Sequence, residues 1–451
     1  MSKSANGKTS AGRPSLIVGL GSTGLSVADF LARHDEPLLV TDSRPEPPAL
    51  ATLQARHPTA EVSVGGFDKR LLSRCGRLVL SPGLPTSDPF VQEAYARGLE
   101  VIGDIELFAR HAQAPVIAIT GSNGKSTVTA LVAAMAQRAG IHAAAGGNLG
   151  PPALDLLQDP EPALYVLELS SFQLETTASL RPLAAVVLNI SPDHLDRYPD
   201  LGAYAAAKAK IYDAAAHCVI NRDDLRAAAL AVNTSYRSFG LDAPPQYQDH
   251  GLLSHAGEPW LARGDTPLLP VRELRIAGRH NQANALAALS LAAAAGIETD
   301  SALQALAEFP GLPHRCQWVA EQAGVNWYND SKATNVGATA AALSGMAAPV
   351  ILLAGGRGKG QDFSALRQPV SRYVKQLLVF GEAAEALAGA LADCTALEQV
   401  ADLDAAVARA HGLAEPGDMV LLSPACASQD AFTDYIARGH AFTAAVRGVT
   451  A

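Results

Sequence analysis

The sequence is poor in cysteine, and its few cysteines are unsuited to cross-linking. Five occur in 451 residues, at Cys75, Cys218, Cys316, Cys394 and Cys426. They are widely spaced, odd in number and form no C-x-x-C pair, which argues against a disulfide framework and a structural zinc site. We expect most of them to be small residues of the core.

Long apolar runs are also missing. The most apolar window, ALAALSLAAAAGI at 285–297, is shorter than the roughly 20 residues needed to cross a bilayer, so it predicts a buried helix. The first fourteen residues, MSKSANGKTSAGRP, lack the apolar segment of a signal peptide. We therefore expect residues 1–14 to be a disordered leader on a cytoplasmic protein that does not insert into membranes.

The sequence also has no excess of basic residues. The net charge is −9 and the pI is near 5.7, so we expect no nucleic-acid surface, although a phosphorylated small molecule needs only a few local donors. Hydrophobic residues make up 48% of the chain and charged residues 18%, a globular balance. Because 451 residues exceed the size at which one core stops growing, we expect three domains.

Short β-branched or leucine-rich runs alternate with alanine-rich helical stretches, which predicts an α/β protein with parallel sheets. Strands are expected in a first block at 15–20, 37–42, 61–66, 77–83 and 101–104. The second block has expected strands at 114–121, 165–170, 184–190 and 217–221, and the third at 349–356, 376–381 and 418–424. The predicted domains are a Rossmann-like domain at 15–104, a central P-loop-type ATPase domain at 105–311 and a second Rossmann-like domain at 312–451.

A first glycine loop, VGLGSTGLS at 18–26, follows the first strand. Gly19, Gly21 and Gly24 have the G-x-G-x-x-G spacing of dinucleotide-binding turns, and Asp42 ends the next strand. A dinucleotide-dependent oxidoreductase is therefore one hypothesis. A tight turn whose glycines serve only packing fits the same residues, so this loop does not decide the function.

A second glycine loop, GSNGKST at 121–127, follows the strand of the second block. Its small residues let the backbone wrap a phosphate, Lys125 can neutralise phosphate charge, and Ser126 can reach a magnesium ion. Ile119 stands where the usual P-loop has its first glycine. The position of the loop between a strand and an amphipathic helix still predicts nucleotide binding.

This loop, read as TGSNGKST, resembles the ATP loop of the Mur ligases and of the related folylpolyglutamate synthetase. Further motifs resemble the branch of the Mur ligase family that adds D-glutamate to UDP-N-acetylmuramoyl-L-alanine. They are GGNLG (146–150), LELSSFQLE (167–175), NISPDHLDRY (189–198), AGRHNQANA (277–285), GLPHRCQ (311–317), NDSKATN (329–335), AGGRGKGQDF (354–363) and LLSPACAS (421–428). The resemblance covers essentially the whole chain after the leader.

The resemblance implies a cytoplasmic, monomeric ligase of peptidoglycan precursor synthesis. ATP would phosphorylate the alanyl carboxylate, and D-glutamate would attack the acyl phosphate, with ADP and phosphate released. Such charge build-up requires cations, so one or two Mg²⁺ ions are expected beside Lys125, and ATP is the expected nucleotide.

The resemblance also implies roles for particular residues. The catalytic group would be Lys125, Glu168, His194 and Lys208. Magnesium would be held by Ser126, Glu168, His194 and Lys208, the last as a carbamylated side chain. The residues alone predict an exposed helical lysine at 208, and Lys210 lies close enough in sequence to be an alternative. Glu168, at the end of its strand, is a natural magnesium ligand on the residue pattern alone.

Three binding groups complete the set. ATP would contact Gly121, Ser122, Asn123, Gly124, Lys125, Ser126, Thr127, Asn281, Asn284, His314, Arg315 and Asp330. The UDP-substrate would contact Ser22, Thr23, Asp42, Ser43, Arg44, Ser81, Gly83 and Asn148. Glutamate would contact Thr334, Lys359, Ser428, Gln429 and Tyr435. Gln429 and Tyr435 stand where the family has Leu and Phe, which puts the fine shape of the amino-acid pocket in question.

Other functions stay open at this point. An oxidoreductase would leave GSNGKST, Glu168 and Lys359 without a role, and a noncatalytic nucleotide-binding regulator would not need so many charged positions. Within the ligases, a sister enzyme that adds another amino acid, or a form that prefers L-glutamate, fits the same motifs. The residues do not reveal the enantiomer.

Overall fold

The computed structural model describes residues 12–148, 150–191, 193–194, 197–231, 236–276, 278–346, 349–358 and 360–450. Of the predicted leader, residues 1–11 lie outside the described residues. The chain divides into two compact units, Met1–Gly251 with Leu286–Ala302, and Leu252–Ala285 with Leu303–Ala451. Within the described part, no helix is long and apolar enough to span a membrane.

The first unit begins with a five-stranded parallel sheet of order β3-β2-β1-β4-β5. Its strands are β1 (Ser15–Val18), β2 (Leu38–Asp42), β3 (Glu61–Val64), β4 (Arg77–Leu80) and β5 (Glu100–Ile102). Helices α1 (Ser22–Arg33), α2 (Leu50–Arg56), α3 (Pro89–Ala96) and α4 (Asp104–His111) connect and follow them. The strand order reverses between β1 and β4, which is where doubly wound sheets bind ligands.

The central sheet of the first unit has the order β12-β11-β10-β9-β6-β8-β7. Its strands are β6 (Val116–Thr120), β7 (Ala143–Gly147), β8 (Leu164–Glu168), β9 (Ala184–Val187), β10 (His217–Asn221), β11 (Tyr236–Phe239) and β12 (His250–His255). The helices are α5 (Lys125–Arg138), α6 (Ser171–Glu175), α7 (Leu201–Ala209) and α8 (Leu225–Ala228). Every residue of β6, β8 and β9 is buried, as expected for parallel strands covered on both faces.

The two sheets of the first unit share one hydrophobic core. Phe30 from α1, Phe108 from α4, Tyr165 from β8 and Tyr204 from α7 belong to a single buried cluster. The Phe108 and Tyr165 rings meet edge to face at 4.9 Å. This shared core fixes the carboxyl edge of the first sheet relative to that of the central sheet.

Asp104, the first residue of α4, is buried beside this shared core and makes the stability of the fold depend on pH. It is buried, it accepts a hydrogen bond from Gln173 Nε2 at 3.1 Å, and its Oδ1 has no partner. Burial raises the pKa of Asp104 to about 6, because the desolvation of the charge outweighs the hydrogen bonds to the carboxyl group. The folded protein therefore binds this proton more tightly than the unfolded chain does.

We expect Asp104 to make the protein less stable as pH rises from about 4 to about 6, because ionisation is easier in the unfolded chain. A shift of about two units corresponds to roughly 3 kcal/mol at most. Urea unfolding of the native protein and of Asp104→Asn at pH 4.5 and 8 measures this. The difference in unfolding free energy should move in favour of the variant at the higher pH; an unchanged difference would contradict the assignment.

The second unit contains an antiparallel hairpin and a six-stranded sheet of order β15-β16-β20-β17-β18-β19. The hairpin is β13 (Glu258–Arg263) and β14 (Thr266–Pro270); the sheet strands are β15 (Gln317–Gln322), β16 (Val325–Asn329), β17 (Val350–Gly355), β18 (Val374–Phe380), β19 (Ala396–Gln399) and β20 (Met419–Leu422). Only the pairing of β15 with β16 is antiparallel among the described pairs of this sheet.

Seven helices follow the central sheet in the chain. They are α9 (Arg279–Ala294), α10 (Thr299–Glu308), α11 (Val336–Ser344), α12 (Arg367–Tyr373), α13 (Ala384–Leu391), α14 (Leu403–Leu413) and α15 (Tyr435–Thr450). The prediction of an α/β chain with three parallel-rich sheets is confirmed.

Candidate active site

A cavity of about 550 Å³ opens at the carboxyl ends of β1, β2 and β4. All the residues predicted for the UDP-substrate line it, namely Ser22, Thr23, Asp42, Ser43, Arg44, Ser81, Gly83 and Asn148. The fingerprint glycines Gly19 and Gly21 line it as well. Helix α1 begins at Ser22 beside the cavity, and a helix N-terminus favours an anionic group.

Asp42 organises one wall of this cavity. Its carboxylate accepts hydrogen bonds from Leu20 N at 2.7 Å and from Arg44 N, Nε and Nη2 at 2.8, 2.9 and 2.6 Å. Burial opposes ionisation of Asp42, but these hydrogen bonds prevail and lower its pKa to about 2. The charged Asp42 thus holds Arg44, whose side chain is half exposed, at the rim of the cavity.

Several residues of the cavity wall were not predicted. They are Phe67, Pro82, Leu84, Ser170 and Phe172. Ser170 and Phe172 belong to the LELSSFQLE motif, so the motif located them without assigning a role. Phe67 and Leu84 stand in loops of the first sheet, and nothing in their sequence neighbourhood distinguishes them.

The second glycine loop wraps the start of α5. Ser122 N donates to Asn189 O at 3.0 Å, and Asn123 N donates to Asn189 Oδ1 at 2.8 Å. The Lys125 ammonium donates to Gly121 O at 2.9 Å and to Ser122 O at 3.1 Å. Ser126 and Thr127 occupy the first turn of α5, which has no side-chain cap, so the loop and the helix dipole together suit a phosphate.

Lys208 is buried at 2% exposure, which corrects the prediction of an exposed helical lysine. Its ammonium donates to Thr120 Oγ1 at 3.2 Å and to Gly121 O at 3.1 Å, so it shares the Gly121 carbonyl with Lys125. Burial, followed by the charge of Lys125, lowers the pKa of Lys208 to about 7, although Asp193 and Glu168 act in the opposite direction. The reason for the error is tertiary: α7 packs this face on the end of β6.

Lys210, the alternative to Lys208, has a different environment. It is exposed and donates to Glu175 O at 2.8 Å. The structure brings Lys208, and not Lys210, to the glycine loop.

Glu168 ends β8 and is 2% exposed. Its Oε1 accepts from Asn148 Nδ2 at 2.8 Å, whereas its Oε2 is buried and has no hydrogen-bond partner. Asn148 N also donates to Glu168 O at 2.8 Å, and a Cβ at Gly147 would overlap that carbonyl oxygen, so a glycine is required there. Since Asn148 lines the cavity, the pair joins the cavity to the end of the central sheet.

The unpartnered Glu168 Oε2 fits a bound cation. A buried carboxylate oxygen without a partner is costly unless a proton or metal satisfies it. Among the described residues, no three His, Cys, Asp or Glu side chains converge as a metal site. Magnesium is commonly held by one or two carboxylates together with water and substrate phosphates, so a buried carboxylate such as that of Glu168 is compatible with a magnesium site.

His194 lies between the cavity and the lysine site. Its ring centroid is 4.7 Å from that of Phe172, which lines the cavity, and 6.2 Å from that of Tyr204. The Lys208 ammonium stands 4.6 Å from the centre of the same Tyr204 ring. The four predicted catalytic residues are therefore grouped around the ends of β6, β8 and β9.

In the second unit, the predicted ATP contacts fall into two groups. Asn281 and Asn284 lie on one side of α9, with Asn284 Nδ2 donating to Asn281 Oδ1 at 3.1 Å. Asp330 accepts from Cys316 N at 3.1 Å and from Ser423 Oγ at 2.8 Å, and burial raises its pKa to about 7. His314 and the exposed Arg315 precede Cys316 in the same turn.

The residues predicted to bind the substrate glutamate lie on the loops at the carboxyl edge of the six-stranded sheet. Ser428 is 1% exposed and its Oγ has no partner, Thr334 is half-buried, and Gln429 is exposed. Tyr435 begins α15, with the Lys332 ammonium 5.4 Å from its ring centre. Lys359 lies outside the described residues.

Arg438, which was not predicted, ties these loops together. Its buried guanidinium donates to Ser331 Oγ and O, Gly355 O, Cys426 O and Ala427 O at 2.9–3.3 Å. Burial lowers its pKa to about 10. Helix α15 carries two arginines, Arg438 and Arg447, and nothing in its alanine-rich sequence marks Arg438 for this role.

Comparison with known proteins matches three family models to the chain. The Mur ligase MurD-like N-terminal domain matches residues 13–103, the Mur ligase middle domain residues 119–292, and the Mur ligase glutamate ligase domain residues 314–426. The chain is 54% identical over 438 residues to the UDP-N-acetylmuramoylalanine–D-glutamate ligase of Nitrosococcus oceani, covering 96% of both chains. It is 51% identical over 439 residues to the enzyme of the same name from Pseudomonas putida, covering 96% of this chain and 97% of the relative.

Solved structures show the same fold at low sequence identity. The UDP-N-acetylmuramate-alanine ligase of Thermotoga maritima gives a TM-score of 0.56 at 17% identity, covering 97% of this chain and 99% of that one. A UDP-N-acetylmuramoyl-L-alanyl-D-glutamate–2,6-diaminopimelate ligase gives 0.59 at 19% identity, covering 88% of this chain and 98% of that one.

Proposed function

Because the chain belongs to the Mur ligase family, we propose that it is the ligase that adds D-glutamate to UDP-N-acetylmuramoyl-L-alanine. The reaction consumes ATP, releases ADP and phosphate, and serves peptidoglycan precursor synthesis. The structural observation that supports this most is the Asn148–Glu168 pair. It links a cavity suited to a nucleotide-sugar with a phosphate-binding loop and two lysines.

The UDP-substrate occupies the cavity of the first sheet, in the domain that we place at 15–104. Uridine and diphosphate are held by Ser22, Thr23, Asp42, Ser43 and Arg44, and Ser81, Gly83 and Asn148 extend the site toward the reacting carboxylate. The cavity volume of about 550 Å³ is in the range of small-molecule sites.

The ATP site is built on residues 121–127, in the central domain that we place at 105–311. An oxygen of the alanyl carboxylate attacks the γ-phosphorus, an O–P bond forms, and the bond to the β-phosphate oxygen breaks with its electron pair leaving on ADP. Lys125 stabilises the charge that spreads over the transferring group. Asn281, Asn284, His314, Arg315 and Asp330 contribute adenine, phosphate and ribose contacts.

The glutamate site belongs to the domain that we place at 312–451. The amine of D-glutamate attacks the carbonyl carbon of the acyl phosphate, phosphate leaves, and the nitrogen loses a proton. Thr334, Lys359, Ser428, Gln429 and Tyr435 hold the glutamate carboxylates and side chain. The buried, unpartnered Ser428 hydroxyl supports this placement, because such a group is costly without a ligand.

Magnesium would be held by Ser126, Glu168, His194 and Lys208, the last as a carbamate. When bound, the ions would neutralise phosphate charge during the transfer. The environment of Lys208 supports the proposal of a carbamate. Lys208 is buried beside the glycine loop, and no carboxylate in the described part of the chain accepts a hydrogen bond from its ammonium. A carbamate would turn this buried cation into an oxygen ligand.

We further propose that the enzyme is a cytoplasmic monomer. The oxidoreductase hypothesis from the first glycine loop is set aside, since the chain belongs to the Mur ligase family and the proposed role of that loop is to hold the acceptor substrate.

Asp42→Ala should weaken binding of the UDP-substrate without weakening binding of ATP. The variant releases Arg44 and leaves the buried Leu20 N–H without its acceptor, so we expect the Kd for the UDP-substrate to rise about tenfold or more. The KM for ATP should change little. Titration calorimetry and steady-state kinetics measure the two quantities.

Asp29→Ala is the matched control, because it removes another Asp–Arg pair of the same domain outside the cavity. Similar losses of UDP-substrate affinity in both variants would contradict the role given to Asp42.

The acyl phosphate is tested by isotope transfer. UDP-N-acetylmuramoyl-L-alanine labelled with ¹⁸O in its free carboxylate is turned over with ATP and D-glutamate. One labelled oxygen should appear in the released phosphate, since the attacking carboxylate oxygen stays on phosphorus. Unlabelled phosphate would exclude this route.

A further inference from the structure

Asn329, at the end of β16, is fully buried and its amide orientation is fixed by backbone groups. Its Oδ1 accepts from Ser331 N at 3.1 Å, and its Nδ2 donates to Gly439 O at 2.9 Å. A backbone N–H can only donate and a carbonyl can only accept, so the reversed amide would face like groups on both sides. The Asn329 amide therefore has one orientation, with Nδ2 toward Gly439 O and Oδ1 toward Ser331 N.

That Nδ2 group also faces His314. The distance from Asn329 Nδ2 to His314 Nδ1 is 3.2 Å, within hydrogen-bonding reach. The amide nitrogen of Asn329 can donate but cannot accept, so a proton on His314 Nδ1 would face a donor group. His314 Nδ1 must then be unprotonated, and the proton of the neutral ring must be on Nε2.

The helix α15 holds the ring in this arrangement. A Cβ at Gly439 would overlap the His314 ring, at 2.7 Å from Cε1 and 2.9 Å from Cγ, so the absent side chain makes room for it. Asn329 Nδ2 also lies 3.2 Å from Thr443 Oγ1, one turn further along the same helix, so its two hydrogens serve Gly439 O and, between them, the two acceptors at 3.2 Å. The ring is thus seated between a fixed amide and a helix backbone.

The charges around His314 also bear on its protonation. Burial lowers the pKa of His314, and His440, whose ring centroid is 5.1 Å away, and Lys332 lower it further, while Asp434 acts in the opposite direction. The uncharged Tyr435 ring stands at 6.1 Å. The net effect keeps the imidazole neutral near pH 7.

We propose that Asn329 is a positioning residue that fixes His314 as the Nε2–H tautomer. The neutral ring then presents an N–H donor to an acceptor atom of the nucleotide. This use of the donor rests on the proposed function, whereas the tautomer rests on the hydrogen bonds alone. Two measurements separate these statements.

The tautomer is measured by long-range ¹H–¹⁵N correlation on the full-length protein with ¹⁵N-labelled histidine at pH 7.5. The chain has 12 histidines, and the signals that disappear in His314→Gln identify the ring. We expect His314 Nδ1 to be unprotonated and Nε2 protonated. A protonated Nδ1 in the native protein would overturn the proposal.

Asn329→Asp reverses the donor that faces His314. A carboxylate only accepts, so Nδ1 should gain the proton and the pKa of His314 should rise by about 1–3 units. Asn326→Asp, on the same strand, is the charge-matched control and should leave the His314 signals unchanged. An Asn329→Asp protein that keeps the native tautomer would overturn the proposal.

If Asn329→Asp does not fold, Gly439→Ala tests the same seating, because the added methyl group displaces the ring from Asn329. We expect a mixture of tautomers for His314 in Gly439→Ala, and an unchanged single tautomer would count against the proposal.

The contact with the nucleotide is tested by kinetics. The KM for ATP of Asn329→Asp should rise about tenfold above the new pKa of His314, where Nε2 loses its proton. If Asn329→Asp shows the expected tautomers but its KM for ATP is unchanged, the proposed contact between His314 and the nucleotide is wrong while the role of Asn329 in fixing the tautomer stands.

Discussion

Lys125→Ala should lower the rate of ATP-dependent ligation at least ~10³-fold while the affinity for the UDP-substrate stays within about twofold. Lys125 is the first residue of α5, and its ammonium lies at the glycine loop, 2.9 Å from Gly121 O. Without it, the transferring phosphoryl group loses the cation of the glycine loop, and a carbamylated Lys208 would supply no positive charge in its place. The UDP cavity is lined by other residues, so binding there should persist.

Phosphate release and titration calorimetry with UDP-N-acetylmuramoyl-L-alanine measure the two quantities. Lys125→Arg is an informative companion, since it keeps the charge and changes the shape of the donor. A folded Lys125→Ala protein that loses UDP-substrate affinity would contradict the division between the two sites.

Lys208→Ala should be nearly as damaging, with a loss of at least ~10²-fold in kcat, whereas Lys210→Ala should stay within about threefold of the native rate. The two lysines are two residues apart on the chain but differ in burial and partners. Lys208 lies at the end of β6 beside Lys125; Lys210 points to the backbone of Glu175. Steady-state kinetics on both variants gives a direct comparison within one short segment.

The carbamate itself is tested with ¹³C-labelled bicarbonate. A carbamate carbonyl signal should appear in the native protein and in Lys210→Ala, and should be absent in Lys208→Ala. If all three proteins give the signal, the modified residue is not Lys208. If none does, the second metal ligand must be sought elsewhere.

Most of the strands found from the sequence have continuous apolar runs, whereas β3 (EVSV) alternates polar and apolar residues. HCVIN was predicted at 217–221 and is β10 without change, and β6, β8 and β9 are fully buried segments of the same kind. β7 was missed because AAAGG has little β propensity and is stabilised only by its pairing with β8. The hairpin of β13 and β14 was missed because its strands carry proline, tryptophan and charge rather than an apolar run.

The predicted site residues that the structure places beside the cavity and the glycine loop are those within contiguous motifs. Asp42 ends β2 and each glycine loop follows a predicted strand, so the parallel-sheet rule already places them at the carboxyl edges of their sheets. Asn148 was located by its motif, since the strand before it, β7, was missed. The burial of Lys208, the five hydrogen bonds of Arg438 and the orientation of Asn329 depend on helices that pack from distant parts of the chain. No local pattern specifies such contacts, because each partner is set by tertiary packing.

The most direct test of the proposed function is phosphate release from ATP with UDP-N-acetylmuramoyl-L-alanine and each enantiomer of glutamate. We expect release with D-glutamate, dependent on the UDP-substrate and on Mg²⁺, and little release with L-glutamate. Release with neither enantiomer would contradict the assignment, and a preference for L-glutamate would keep the ligase chemistry but overturn the proposed amino-acid substrate.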